Sequence, residues 1–244
     1  VLATRTGRKN WRRRVKMAKK GFKQTMVITG GSRGIGRFLL DSFLPSHNIS
    51  ACARNTVELD GRGLITRRCD LGEPDQVDQF VQKTITKFGR IDVLIHNAGI
   101  FPYDKLVDVK EQDIDELYRV TVKGYLFLCQ NIIPIMIKQG GGYIINISSI
   151  RGLTVTPDKG VYGAMKRAAI SLTESIKVEN YAYGIRATSL HLGTVDTESS
   201  RKRYGGEFNH LNLVRESDIL SAIKFLLSLS GKATVDGLLI NGEL

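Results

Sequence analysis

The apolar positions of this chain switch repeatedly between two periods, and that alternation predicts its architecture. Short apolar runs fall at residues 25–29 (TMVIT), 49–54, 63–69, 91–95 (IDVLI), 143–148, 185–192 and 238–240. Runs of this length, rich in Val and Ile, predict buried strands. Between them apolar residues recur three and four apart, as in Val77, Phe80, Val81 and Ile85. That spacing predicts helices over residues 36–44, 75–88, 114–139, 161–183 and 218–229. The first stops near Pro45 and the third carries Pro134 near its end. Apolar strands alternating with amphipathic helices predict an α/β fold: a doubly wound, Rossmann-like parallel sheet covered on both faces. No apolar run in the sequence approaches the roughly 20 residues of a membrane span.

Charge divides the chain in two. Its 244 residues carry a net charge of +12. Residues 1–24 hold ten Lys and Arg and no acid, while the rest hold 26 bases and 24 acids. The sequence therefore reads as a basic arm (1–24) joined to a nearly neutral domain (25–244). In the arm Trp11, Val15, Ala18 and Phe22 form an apolar helical stripe. An Arg-rich, acid-free amphipathic segment predicts organelle targeting, with the mitochondrial matrix as the expected location and plastid or cytoplasm as alternatives. The same charge suits the phosphate backbone of RNA, then an anionic membrane surface, then an acidic protein. Cys52, Cys69 and Cys129 are scattered and predict buried thiols rather than a disulfide or zinc framework. His47, His96 and His210 have no metal-ligand spacing, and His191 at a strand end reads as a packed residue.

Two segments carry chemistry. At the first strand-to-helix junction stand Thr29, Gly30, Gly31, Ser32, Arg33, Gly34, Ile35 and Gly36. Glycines there permit a tight turn and close backbone approach to a pyrophosphate, and the helix N-terminus favours the phosphate charge. Further on, Ser149 is followed by Tyr162 and Lys166. Tyr and Lys four apart share a helix face. An ammonium beside a phenol favours the phenolate and so is expected to lower the phenol pKa. A serine hydroxyl nearby can hold a carbonyl oxygen. The second strand ends at Arg54 without an acid, so Arg33 and Arg54 are expected to receive a ribose 2′-phosphate. NADP(H) is thereby favoured over NAD(H).

These residues resemble the short-chain dehydrogenase/reductase family, from about residue 25 to 244. The turn fits the family's T-G-x-x-x-G-x-G pattern, and His96-Asn97-Ala98-Gly99 resembles its N-N-A-G segment. Ser149, Tyr162 and Lys166 match its serine and Y-x-x-x-K, and Gly193 to Thr197 resembles its nicotinamide-side segment. The likeness is nearest to 3-oxoacyl-carrier-protein reductases and carbonyl reductases. It implies hydride transfer with Tyr162 as general acid, Lys166 on the nicotinamide ribose and Ser149 on the carbonyl. It also implies that Asp70 meets the adenine, that Asn97, Gly99, Val195 and Thr197 line the cofactor, and that the chain forms a homo-oligomer. Three departures stand out. Thr121 replaces the asparagine of the proton relay, Leu192 replaces a proline, and the interval from Arg54 to Asp70 is too short for the usual helix.

Two functions follow. One is an NADP(H)-dependent reductase of a ketone or 3-oxoacyl thioester. The other is a dehydrogenase-fold subunit of an organellar RNA–protein assembly, such as a mitochondrial ribosome, docked by the arm with its site idle. The segment 197–215, with Arg201, Lys202 and Arg203, is expected to cover the substrate.

Overall fold

The computed structural model describes residues 23–205 and 213–242. Residues 1–22 of the basic arm lie outside them, and with them the expectations of a targeting helix, an RNA or membrane partner and a cellular location.

The first half of the domain runs β1 (Thr25–Thr29), α1 (Gly34–Phe43), β2 (Asn48–Ala53), β3 (Leu59–Asp60), β4 (Leu64–Arg68), α2 (Pro74–Phe88) and β5 (Val93–His96). It continues through α3 (Glu111–Tyr118), α4 (Gly124–Gln139), β6 (Gly142–Ser149), α5 (Gly160–Asn180) and β7 (Ile185–Leu192). The chain closes with α6 (Glu198–Tyr204), α7 (Glu216–Ser228) and β8 (Gly237–Ile240). The sheet order is β3-β4-β2-β1-β5-β6-β7-β8, parallel throughout except for the β3–β4 edge.

Period-two alternation distributes the strand residues between two cores. Met26, Ile28, Val93, Ile95 and Ile145 pack with Leu39, Leu40 and Phe43 of α1 and Ile219 and Ile223 of α7. Val27, Leu94 and Ile144 face the other way, against Phe80 of α2, Tyr125, Leu128 and Ile132 of α4 and Ala169 of α5. Both faces are thus dry, which is why the strands read as continuous apolar runs. β1 pairs with β2 on one side and β5 on the other, so the chain winds outward in both directions from this point. Ligands in such sheets bind at the carboxyl ends of the strands flanking this switch.

Two details depart from the sequence pattern. The short interval after Arg54 holds a β-hairpin instead of a helix: Leu59 and Asp60 pair antiparallel with Thr66 and Ile65, and Gly61 N–H donates to the Leu64 carbonyl at 2.7 Å. The long central helix, residues 111–139, contains a wide, π-type turn at Arg119–Lys123, and Thr121 sits in it. This helix is long and apolar enough to cross a membrane by composition. Its apolar residues Leu117, Leu128, Cys129, Ile132 and Met136 are buried in the fold, as expected of a core helix.

Candidate active site

The turn after β1 is held from two sides. Gly30 and Gly31 N–H donate to the Cys52 carbonyl at 2.8 and 3.1 Å. Asn97 Nδ2 donates to the carbonyls of Thr29 and Gly30 at 3.1 and 3.4 Å. The Thr29 hydroxyl accepts the N–H groups of Asn97 and Ala98, both at 3.0 Å. Gly36 presses so closely on the turn that a Cβ there would lie 2.2 Å from the Gly30 carbonyl oxygen. Ser32 and Ile35 are half-buried beside it, and Arg33 is exposed at the start of α1.

Ser149 ends β6, while Tyr162 and Lys166 lie one turn apart on α5, and the fold brings all three together. Tyr162 and Lys166 are buried. Lys166 Nζ donates to the Ile147 carbonyl at 3.2 Å and stands 5.9 Å from the Tyr162 ring centroid. The ammonium faces Gly99, where a Cβ would be 3.6 Å from Nζ. Burial lowers the Lys166 pKa to about 8. The Tyr162 phenol differs from expectation: its pKa is raised, not lowered. Burial is the main cause and Tyr103 adds to it, outweighing the opposing hydrogen bond from Ser149. The Ser149 hydroxyl also accepts the Arg151 N–H at 3.2 Å, capping the turn that follows β6. Thr121 is buried in the central helix, and its hydroxyl has no hydrogen-bond partner among the described residues.

The edge beyond β2 is built from ion pairs that local sequence does not announce. Arg54 Nη1 meets Glu116 at 2.5 Å. Arg119 reaches Asp70 at 3.0 Å, Glu73 at 3.4 Å and Glu116 at 2.6 Å. Burial alone would raise the Asp70 pKa, but Arg119, the Gly72 N–H and Arg54 hold it below the usual carboxylate value. Arg54, expected to receive a 2′-phosphate, is thus engaged by a protein carboxylate, and Arg33 is exposed.

Among the described residues, three side chains roof the site. The rings of Phe101 and Tyr103 lie 5.7 and 5.4 Å from that of Tyr162. Arg203 of α6 stacks 4.3 Å from the Tyr103 ring and donates to the Phe101 carbonyl. The expected covering segment is thus helical in part, and its contacts come from residues about a hundred positions away. Val195 is buried and bridges to Val214, and the Thr197 hydroxyl caps α6 by accepting the Ser200 N–H at 3.3 Å. His191 packs as expected, its ring pressed on Gly237. Cys52, Cys69 and Cys129 are free and buried, and the described residues contain no metal-ligand cluster.

The residues at the turn fit a dinucleotide. Gly34 has φ +52, and among the described residues a Cβ on it would meet only Thr197, at 3.9 Å. It opens on a cleft of about 350 Å³ that also borders Arg37, Phe38 and Thr197. Four acids line that cleft: Asp41 pairs with Arg37, Asp196 with Arg201 and Glu198 with Lys202, while burial and Asp196 raise the pKa of Glu216. At the turn itself a phosphate would meet the N-terminal end of α1, with its backbone N–H groups and favourable dipole.

Comparison with known proteins agrees. The family model described as short chain dehydrogenase matches residues 24–207. An uncharacterized oxidoreductase of Thermotoga maritima is 39% identical over 202 residues, covering 79% of this chain and 80% of the relative. The 3-oxoacyl-[acyl-carrier-protein] reductase FabG of the same organism is 31% identical over 187 residues, covering 72% and 76% of the two chains. Among solved structures, ElxO with NADP bound superposes with a TM-score of 0.81 at 28% identity, covering 89% of this chain and 96% of that one. The chain belongs to the short-chain dehydrogenase family and is an oxidoreductase by that membership.

Proposed function

We propose that this protein is an NADP(H)-dependent reductase of a ketone or 3-oxoacyl thioester, with Tyr162 as general acid. The observation that carries this reading is the convergence of Ser149, Tyr162 and Lys166 beside Gly99, at the carboxyl end of β6 and facing the glycine turn. The fold neighbour ElxO holds NADP, and the Thermotoga relative FabG is named a 3-oxoacyl-carrier-protein reductase. Gly30, Ser32, Gly34, Ile35 and Gly36 would hold the pyrophosphate. Asn97, Gly99, Val195 and Thr197 would line the nicotinamide half, and Asp70 the adenine. Arg33 and Arg54 would meet the 2′-phosphate, Arg54 by exchanging Glu116 for it. The bound dihydronicotinamide supplies the hydride.

The chain's own residues handle the proton. Ser149 donates a hydrogen bond to the substrate carbonyl oxygen and orients it. Tyr162 then transfers its phenolic proton to that oxygen as the carbon receives the hydride. Its raised pKa suits this direction, because the phenol stays protonated until the oxygen becomes basic. Lys166 stabilises the phenolate left behind, and that ammonium restores the proton from solvent. Thr121, its buried hydroxyl unpartnered among the described residues, takes the relay position.

The test is NADPH oxidation by purified protein with a panel of ketones and acetoacetyl thioesters. Turnover in the native protein and its loss in Tyr162→Phe, with NADPH binding retained, is the expected result. Equal turnover in the variant would sink the assignment.

A further inference from the structure

We propose that the carbonyl substrate carries an anionic group, a carboxylate or a phosphate, held at the mouth of the site by Arg203. This rests on the reductase reading above and narrows its substrate class. The basic run on α6 is not uniformly solvated. Arg201 is held by Asp196 at 2.7 and 2.9 Å, and Lys202 by Glu198 at 2.7 Å. Arg203 alone turns inward over Tyr103, 4.3 Å from its ring.

Lys159 approaches the same ring at 4.9 Å, and the charges of Arg203 and Arg151 both bear on the Tyr103 phenol. That ring abuts Tyr162, so the cations stand one side chain away from the proton donor. Among the described residues, no carboxylate is ion-paired with Arg203, Arg151 or Lys159. Two acids, Asp104 and Asp158, border a cavity of about 10 Å³ beside Tyr162, too small for a substrate. Among the described residues, then, no carboxylate competes with a ligand anion for Arg203. The Phe101 carbonyl and the Tyr103 hydroxyl and ring face use only part of the guanidinium's donor set. The remaining N–H fork matches a carboxylate or phosphate.

The experiment compares matched substrates in the full chain with NADPH: a 3-oxo acid against its methyl ester, and dihydroxyacetone phosphate against dihydroxyacetone. We expect kcat/KM for the charged member of at least one pair to exceed that of its neutral partner. The responding pair identifies carboxylate or phosphate. Arg203→Gln is expected to lower that charged-to-neutral ratio by about ten- to a hundredfold, the loss of a charge-assisted hydrogen bond. Arg203→Lys should keep part of it. Calorimetric binding of the charged compounds to Tyr162→Phe should weaken in parallel when Arg203 is replaced. Equal rates within both pairs, or equal losses for charged and neutral members, would overturn the proposal. Turnover of no carbonyl at all would instead sink the reductase reading, and calorimetry would still decide whether the anion binds.

Discussion

The Thr29 hydroxyl donates its hydrogen to His96 Nδ1, at 3.3 Å, because its lone pairs are already taken by the N–H groups of Asn97 and Ala98. His96 is therefore the neutral tautomer with its hydrogen on Nε2. It lies fully inside, stacked on Tyr125 at 4.5 Å. Burial, aided by the charge of Lys166, lowers its pKa to about 3.

This makes the fold sensitive to acid. Unfolded, the imidazole binds a proton below about pH 6.5; folded, it stays neutral until about pH 3. Between those values the unfolded state holds the extra proton, so stability falls as pH falls. The loss is about 1.4 kcal/mol per pH unit from this one group. Urea unfolding at pH 7, 5 and 4 should show a shallower decline in His96→Asn. Identical slopes in the two proteins would refute the buried neutral imidazole.

Thr29 joins β1, β5 and the glycine turn through one oxygen. Replacing it with Val leaves two half-buried N–H groups and a buried imidazole nitrogen without their partner. Thr29→Val should cost about 2–3 kcal/mol, while Thr29→Ser keeps the hydroxyl and most of the stability. Denaturant midpoints of the three proteins check this, and NADPH affinity should fall with Val because the Asn97 clamp on the turn loosens.

Much of this was legible in advance, and the reasons are physical. Strand β1 and helix α2 announce themselves because period two and period 3.6 are local properties of sequence. Tyr162 and Lys166 share a face by helix geometry, and Gly34 marks the turn by chemistry. The Arg119 ion pairs with Asp70 and Glu73 are different, since they join segments 49 and 46 residues apart that no local pattern connects. The same holds for Arg203 on Phe101, across 102 residues. The raised Tyr162 pKa was missed for that reason: the rings that bury it come from another loop, whereas the lysine expected to lower it is only one turn away. The hairpin at Leu59–Asp60 stands in the short interval from Arg54 to Asp70, its reversal closed by the Gly61 N–H on the Leu64 carbonyl.

Lys166 sets a basic limb on turnover. Its ammonium is charged below about pH 8 and neutral above. Under the proposed mechanism the phenolate loses its support once Lys166 is neutral, so carbonyl reduction should decline above about pH 8. Measuring kcat/KM from pH 6 to 10 tests this; a rate flat through that range would exclude Lys166 as the titrating group.

Cofactor choice should turn on Glu116. It holds Arg54 at 2.5 Å, where a 2′-phosphate would compete for the same guanidinium. Arg54→Gln should lower the preference for NADPH over NADH by about tenfold, a charge-assisted hydrogen bond's worth. Glu116→Gln removes the competitor and should raise the preference. Dissociation constants for both cofactors, measured by fluorescence, decide it. Unchanged selectivity in both variants would place the 2′-phosphate elsewhere, with Arg33 as the remaining cation.

Gly34 and Gly36 should fail in different ways, although both belong to one turn. A Cβ on Gly36 would stand 2.2 Å from the Gly30 carbonyl and 2.7 Å from Asn97 Nδ2, so α1 cannot keep its seat. Gly36→Ala should therefore destabilise the fold by about 1–3 kcal/mol or more, as overpacking does. On Gly34 a Cβ meets nothing among the described residues closer than Thr197 at 3.9 Å, and the cost is the left-handed φ of +52, about 1–2 kcal/mol. That methyl would occupy the space where backbone must approach a pyrophosphate. Gly34→Ala should thus weaken NADPH binding far more than its modest loss of stability explains. Thermal unfolding paired with cofactor titration separates the two, and equal loss of stability and affinity in both variants would deny Gly34 a place in the phosphate cradle.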